Sequence, residues 1–210
     1  MLNTLQSRLE QIYDIQIDHK VGDYVFSDPV LAKRLDTSVN ARQTREKLLV
    51  REDGEDLELS LYLAPEIRAL LDTGRFPLDP QGSADLCCAI EGVSHFLCLA
   101  WNAEHRRSVT LLELELQAEI DKYVTFDELV RPRSYSSLRR WLFERVTYDA
   151  ALLEHERQRY QDANRYAGKF CGQLAARYLQ PDRRRQMLGE LRRFYRASQA
   201  DKLRMIEIAD

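Results

Sequence analysis

The chain has 210 residues, of which 44% are hydrophobic and 31% charged, a composition typical of a soluble globular protein rich in helix. Eight glycines and six prolines are few for this length and argue against an all-β fold. The N-terminal sequence MLNTLQSRLEQIYD has no basic segment followed by an apolar core, so we predict no signal peptide, and no stretch is typical of a membrane span.

The four cysteines fit neither a disulfide framework nor a CxxC zinc pattern. Three of them lie within one apolar stretch that is predicted to be a buried helix. We therefore expect reduced core thiols and a cytoplasmic protein. The cysteines are Cys87, Cys88, Cys98 and Cys171.

The formal net charge of −3 is distributed unevenly along the chain. Residues 1–130 contain 13 lysines and arginines against 24 acidic residues, a net charge of −11. Residues 131–210 contain 18 against 10, a net charge of +8. Such asymmetry indicates either an acidic partner for the basic part or pairing between the two parts of the chain.

The N-terminal residues combine two helical patterns with a polar connection. Apolar residues at helical spacing predict an amphipathic helix over residues 2–14. The dipeptide Asp28-Pro29 predicts a turn or the start of a short helix over residues 30–35. A polar connection is expected over residues 38–45.

The clearest local pattern lies between Lys47 and Leu63. Asp53-Gly54 is a dipeptide typical of type I′ hairpin turns. After it, leucines alternate with polar residues and Tyr62, which is the period of a half-buried strand. We predict a β-hairpin with an acidic tip that lies in solvent or, alternatively, docks a basic partner. The leucines expected to be buried on one face are Leu57, Leu59, Leu61 and Leu63.

The longest apolar stretch, Ser83 to Trp101, predicts a buried core helix. Ser83 is suited to the N-cap position, and Asp85 in the first turn suits the positive end of the helix dipole. A helix that starts near Pro65 and is stopped by Gly74 precedes it, followed by a loop over residues 75–82.

A succession of helices is predicted after the core helix. Capping boxes of the form Thr-x-x-Glu begin at Thr110 and Thr125 and predict the starts of two helices. Helical periodicity predicts two more, over residues 134–146 and from about 148 to 179, and Asp182 caps a further one.

These elements predict a mainly α fold, a bundle-like helical domain with a central buried helix and an appended β-hairpin. We expect a single domain over residues 1–210. A subdivision into residues 1–82, with the hairpin, and residues 83–210, the helical core, is the alternative.

Polar side chains cluster on one face of the predicted core helix. Glu91 and His95 are four residues apart and therefore neighbours on that face, and burying a lone carboxylate costs several kcal/mol. Three interpretations are open: a hydrogen-bonded pair that fixes helix register, a metal or catalytic site, or a solvent-lined groove. A metal site would draw Glu115 or Glu119 from the next helix, or His155 from the long helix after it, to hold a divalent first-row ion. The single Glu-x-x-x-His spacing does not match the paired Glu-x-x-His of known bundles.

Arginine accounts for 16 of the 18 cations after residue 130. Its guanidinium forms bidentate contacts with phosphate and carboxylate groups, so the C-terminal helices are a candidate anion-binding surface. Pairing with the acidic part of the chain is the competing interpretation, since no nucleic-acid-reading motif is present. The candidate binding residues are Arg139, Arg140, Arg183, Arg184, Arg185, Arg192 and Arg193.

We therefore expect a non-enzymatic interaction or accessory protein that binds an acidic protein or nucleic acid through this arginine-rich surface and needs no cofactor. The alternative is a metal-dependent helical enzyme that uses Glu91 and His95 with a divalent first-row metal. The sequence contains no glycine-rich phosphate loop, GxSxG, HExxH or calcium-loop motif. The partner's identity and homo-oligomerisation stay open.

Overall fold

The computed structural model describes residues 1–37, 44–54, 56–74, 80–130, 135–178 and 183–207. Four predicted features lie outside these ranges: most of the polar connection over residues 38–45, most of the loop over residues 75–82, the tip residue Glu55 and the cap residue Asp182.

The structure is 70% helical, and the described residues form nine α-helices and one three-stranded sheet. The predicted mainly α fold with a minor β part is therefore confirmed. The helices are α1 (Leu2–Tyr13), α2 (Pro29–Leu35), α3 (Pro65–Thr73), α4 (Pro80–Glu104), α5 (Leu111–Val130), α6 (Tyr135–Phe143), α7 (Glu154–Tyr178), α8 (Arg184–Arg196) and α9 (Gln199–Glu207). The strands are β1 (Val25–Phe26), β2 (Glu46–Asp53) and β3 (Asp56–Leu63), in the order β1-β3-β2.

The chain forms two compact units. Unit 1 comprises Met1–Arg8 and Gln16–Arg107, and unit 2 comprises Leu9–Ile15 and Ser108–Asp210. Unit 1 contains the sheet and helices α2 to α4, and unit 2 contains helices α5 to α9. The single-domain expectation stays a prediction.

The predicted hairpin of unit 1 is confirmed, with two corrections. Strands β2 and β3 pair antiparallel with Asp53 opposite Asp56, so Asp53 belongs to the strand and the turn starts at Gly54, one residue later than predicted. Gly54 has a φ of 66°, a conformation that glycine adopts without steric cost. Strand β1, which was not predicted from the sequence, pairs parallel with β3.

Burial on the hairpin increases from its tip to its base. Leu61 and Leu63 are fully buried, whereas Leu57 and Leu59 are only half-buried, so the prediction of four buried leucines was wrong for two of them. The reason is the position of their neighbours: Leu59 is paired with Val50, which is exposed.

Helix α4 is the core helix of unit 1 and packs against β2, β3 and α3. It begins at Pro80 rather than at the predicted Ser83, because proline is tolerated in the first helical turn. By length and composition, Gly82–Glu104 would also be long and apolar enough to cross a membrane. In its most apolar window 61% of the residues are buried inside the structure, as in the core helix of a folded domain.

Unit 2 is built around α5 and α7, which pack against each other and against α6. The capping box at Thr110 is confirmed: the Glu113 amide donates to Oγ1 of Thr110, and the Thr110 amide donates to Glu113. The second predicted helix start, at Thr125, was wrong, because α5 continues to Val130 and Thr125 is buried within it. Helix α7 starts at Glu154, later than predicted.

A buried hydrogen-bonded network lies in the core of unit 2. The hydroxyl of Tyr13 donates to Asp121, and Nε2 of Gln117 donates to both of these side chains at 2.9 Å. Burial, and then the Asp121 charge, raises the pKa of Tyr13 well above its ordinary value. The phenol therefore stays a neutral donor, and the carboxylate has two hydrogen-bond partners.

Two arginines of α8 cap the C-terminal end of α1 within unit 2. Arg192 donates to the carbonyls of Gln11 and Ile12, and Arg196 donates to those of Tyr13 and Asp14. The last carbonyls of a helix have no intrahelical partner and form the negative end of its dipole, so guanidinium groups suit this position. These arginines contribute to the fold of unit 2.

Arg192→Gln is expected to lower the free energy of unfolding by about 1–2 kcal/mol, because it leaves helix carbonyls without their charged donor. Arg193→Gln is the matched control, since Arg193 is exposed and has no ion pair or hydrogen bond with any described residue. Its effect is expected to stay within about 0.5 kcal/mol. Chemical denaturation of both variants measures the difference, and equal effects would contradict the capping role.

Candidate functional site

Two carboxylates and an imidazole meet in unit 1. Glu46, Glu91 and His95 each offer one ligand atom, and these three atoms lie within 4.8 Å of one another. The distance between His95 Nδ1 and Glu46 Oε1 is 3.7 Å. Among the described residues, no other group of three or more His, Cys, Asp or Glu residues converges in this way.

The helix and the hairpin position these side chains together. Glu91 and His95 are one turn apart on α4 and share a face. Glu46 is the first residue of β2 and lies opposite Leu63, and directly opposed residues of antiparallel strands project from the same face. Glu46 therefore projects from the sheet face that carries the buried leucines.

Gly92 allows the close approach of the hairpin to α4. A Cβ atom at this position would lie 2.9 Å from Cδ1 of Leu61, 3.1 Å from Cγ of Glu46 and 3.2 Å from its Oε1. Only glycine leaves that space, since it has no side chain. The contact places the Glu46 carboxylate against α4 beside Gly92, the residue that follows Glu91.

The three groups are largely removed from water. The side chain of Glu46 is 10% exposed and that of His95 is 12% exposed, and Glu91 is half-buried. Two carboxylates this close repel each other, and poor solvation strengthens the repulsion. A positive charge beside them offsets this repulsion, and a protonated His95 and a bound cation are two sources of such a charge.

The ligand set fits a divalent first-row metal ion. Imidazole and carboxylate ligands bind zinc at about 2.0–2.2 Å, which places two ligands of one ion about 3–4 Å apart. The 3.7 Å between Glu46 and His95 falls in this range. Three protein ligands leave at least one coordination position for water or a substrate, as in catalytic sites.

A second polar contact lies along the same helix. Arg45, the residue before β2, donates to Asp85 of α4, and its Nε is 3.6 Å from Glu66 of α3. The hydrogen bond to Asp85 raises the pKa of Arg45 above its ordinary value. Two consecutive residues of the hairpin segment, Arg45 and Glu46, therefore meet charged or ionisable groups of α4.

Two of the three residues were predicted from the sequence. Glu91 and His95 were predicted as neighbours on one helix face, whereas Glu46 was missed. The alternation of side chains in the hairpin could have indicated Glu46. If the strand is extended by one residue before Lys47, Glu46 falls on the same face as Leu48 and Val50.

Two other predicted ligands belong to unit 2, where each has a basic neighbour. Glu115 lies 3.7 Å from Arg159, and Glu119 accepts a hydrogen bond from Lys122 at 2.9 Å. Their predicted role as metal ligands stays a prediction.

Most of the predicted binding arginines have partners within unit 2. Arg139 and Arg140 both pair with Glu144, Arg183 donates to the carbonyl of Arg177, and Arg192 caps α1. Arg184, Arg185 and Arg193 are exposed on α8, and Arg185 and Arg193 have no ion pair or hydrogen bond with a described residue.

Comparison with known proteins gives no match: no family model, no curated protein and no solved structure resembles the chain.

Gly92→Ala is expected to destabilise the protein by about 1–3 kcal/mol, because the added methyl group overlaps Leu61 and displaces Glu46. Gly189→Ala in α8 is the control with the opposite expected sign. A Cβ there meets nothing within 4 Å, so alanine should stabilise the helix by up to about 1 kcal/mol. Thermal denaturation followed by circular dichroism measures both, and a neutral Gly92→Ala would contradict the tight approach of β2.

Proposed function

We propose that this protein is a metal-binding protein that holds one divalent first-row ion in unit 1 through Glu46, Glu91 and His95. The observation that carries the proposal is the convergence of the three ligand atoms within 4.8 Å in a largely buried position. A cation there offsets the repulsion between two poorly solvated carboxylates.

The ligand chemistry narrows the choice of metal. One imidazole and two carboxylates are borderline to hard ligands, which suit Zn²⁺, Mn²⁺ and Fe²⁺ better than Cu⁺, which prefers sulfur. A three-ligand site leaves positions for water, and a bound divalent ion acidifies that water or polarises a substrate oxygen. A metal-dependent reaction, such as hydrolysis, is the enzymatic activity that such a site supports.

The test is metal analysis of the purified chain together with calorimetric titration of the metal-stripped chain with Zn²⁺ and Mn²⁺. About one equivalent is expected to bind. Glu46→Gln, Glu91→Gln and His95→Ala should each weaken binding at least about tenfold, because each removes one ligand of three. Glu104→Gln is the matched control, since Glu104 is an exposed glutamate at the end of the same helix.

The stability of the same variants separates a metal site from a structural pair. A chelator should lower the melting temperature of the metal-loaded parent and leave that of Glu46→Gln unchanged. A parent that binds no metal at about 1 mM, and that His95→Ala destabilises regardless of chelator, would leave a structural hydrogen-bonded pair as the better account.

The second candidate function is binding of an acidic partner through the exposed face of α8. Arg185 and Arg193 lie on this face with Gly189 between them, and no described residue neutralises either arginine. Arginine in this setting suits phosphate or carboxylate groups of a nucleic acid or an acidic protein.

If α8 binds a nucleic acid, retention of the chain on immobilised DNA or RNA should fall steeply as salt increases, because each neutralised phosphate releases counterions. The double variant Arg185→Glu, Arg193→Glu should abolish retention at about 0.1 M salt. Arg204→Glu, an exposed arginine on α9 that pairs with Asp201, serves as the control. No retention of the parent at low salt would exclude nucleic acid as the partner.

A further inference from the structure

Strand β2 is an edge of the sheet in unit 1. In the order β1-β3-β2 it pairs with β3 on one side, and no other described strand pairs with its second side. Its ladder with β3 runs without a β-bulge from Glu46 opposite Leu63 to Asp53 opposite Asp56, and its sequence EKLLVRED contains no proline. Bulges and prolines are two of the features that block sheet edges in natural proteins, so this edge lacks both protections.

The backbone groups of Leu48, Val50 and Glu52 point away from β3. The amide of Ala64 donates to the carbonyl of Arg45, so these two opposed residues form a hydrogen-bonded pair. Hydrogen-bonded and non-hydrogen-bonded pairs alternate along antiparallel strands, which directs the backbone of every second residue from Leu48 to Glu52 outward. No described residue forms a hydrogen bond with these outward groups. They match the ladder that a further strand would form.

The outer half of this edge is accessible. Near the base of the hairpin, α4 lies against the apolar face, where Gly92 meets Glu46 and Leu61. Nearer the tip, Val50 is 42% exposed, and Glu52 is exposed as well. A strand paired with β2 at this point would cover Val50 and satisfy the backbone groups beside it.

The sequence of β2 is complementary to itself in one antiparallel register. Two copies related by a two-fold axis align residues 47–53 with themselves when Val50 lies opposite Val50. Lys47 then lies opposite Asp53 of the second copy, and the axis repeats this pair of opposite charges. Asp53 has no ion pair or hydrogen bond with a described residue of its own chain. The Lys47 ammonium has three donors, so its contact with Asp36 leaves others for the second copy.

A shift of the axis by one residue is unfavourable. With Leu49 opposite Leu49, residues 46–52 align with themselves, Glu46 opposes Glu52, and Lys47 opposes Arg51. Like charges directly opposite each other destabilise a strand pair, whereas the register centred on Val50 has none. Axes placed further along β2 align fewer of its residues. Charge complementarity therefore favours a second copy of the chain, paired in the register centred on Val50.

We propose that β2 pairs with β2 of a second copy of this chain, with the two-fold axis at Val50. The two three-stranded sheets then form one continuous sheet. The two Val50 residues exchange both of their backbone hydrogen bonds, and Leu48 does so with Glu52 of the second copy in both directions. The dimer forms with or without the proposed metal ion, because its hydrogen bonds come from the backbone of β2.

Sedimentation velocity of the full chain between about 1 and 500 µM measures the association. A reversible monomer–dimer equilibrium with a Kd of about 100 µM or tighter is expected. Val50→Lys places two like charges at the axis and should weaken the dimer at least about tenfold, whereas Val30→Lys, at an exposed valine of α2, should not. Asp53→Lys opposes Lys47 and should weaken it about fivefold. Glu104→Lys makes the same charge change at an exposed position of α4 and should leave the Kd unchanged.

Disulfide cross-linking tests the register. The Cα atoms of a hydrogen-bonded antiparallel pair lie about 5.5 Å apart, which a disulfide spans. Val50→Cys should therefore form a covalent dimer under mild oxidation. Arg51→Cys is the matched control, because each Arg51 lies opposite Leu49 and more than about 7 Å from its own copy. The parent, with its four native cysteines, gives the baseline.

Three results would overturn the proposal. A parent that stays monomeric at about 0.5 mM would leave a strand of a different protein as the occupant of the edge. A dimer whose Kd is unchanged by both Val50→Lys and Asp53→Lys would have to form through another surface. Cross-linking of Arg51→Cys as fast as that of Val50→Cys would exclude the register. Circular dichroism of each variant verifies that the fold is retained.

Discussion

One constraint governs unit 1: α4 is apolar around most of its circumference, and the polar groups on its remaining face must meet polar partners. The hairpin segment provides them. Arg45 binds Asp85, and Glu46 lies against the turn that carries Glu91 and His95. Because Gly92 has no side chain, the sheet approaches closely enough for these contacts to form. The contacts that dock the sheet on α4 also bring the candidate metal ligands together.

In unit 2, buried polar groups have partners in hydrogen bonds and ion pairs, and no cluster of metal-ligand type forms among the described residues. Helix α5 buries several polar residues, and two of them have partners on other helices. Asp121 accepts a hydrogen bond from Tyr13, and Glu113 lies 3.5 Å from Lys202. Side chains also donate to carbonyls at the C-terminal ends of helices: Asn164 donates to Leu142 of α6, and Arg192 donates to Ile12 of α1. Many of the basic side chains of this part therefore have partners inside unit 2.

Local patterns predicted most of the helices and the hairpin, because capping residues, helical periodicity and strand alternation depend on residues close in sequence. Features that depend on contacts between residues distant in sequence were not predicted. Strand β1 has two residues and forms only by pairing with β3, and Glu46 becomes a site residue only because β2 packs on α4. The burial of Leu57 depends likewise on what covers the hairpin tip, which the alternation of the strand does not specify.

A structural ion pair and a metal centre at Glu46, Glu91 and His95 require opposite protonation states of the His95 imidazole. Without a metal, the imidazole offsets the charge of two carboxylates only when it is protonated, and it then forms an ion pair that joins the sheet to α4. With a metal, the imidazole must be neutral, because its lone pair binds the ion and the ion supplies the positive charge. The 3.7 Å between Glu46 Oε1 and His95 Nδ1 suits an ion pair as well as two ligands of one metal ion. The protonation state of one side chain therefore separates a structural pair from a metal centre.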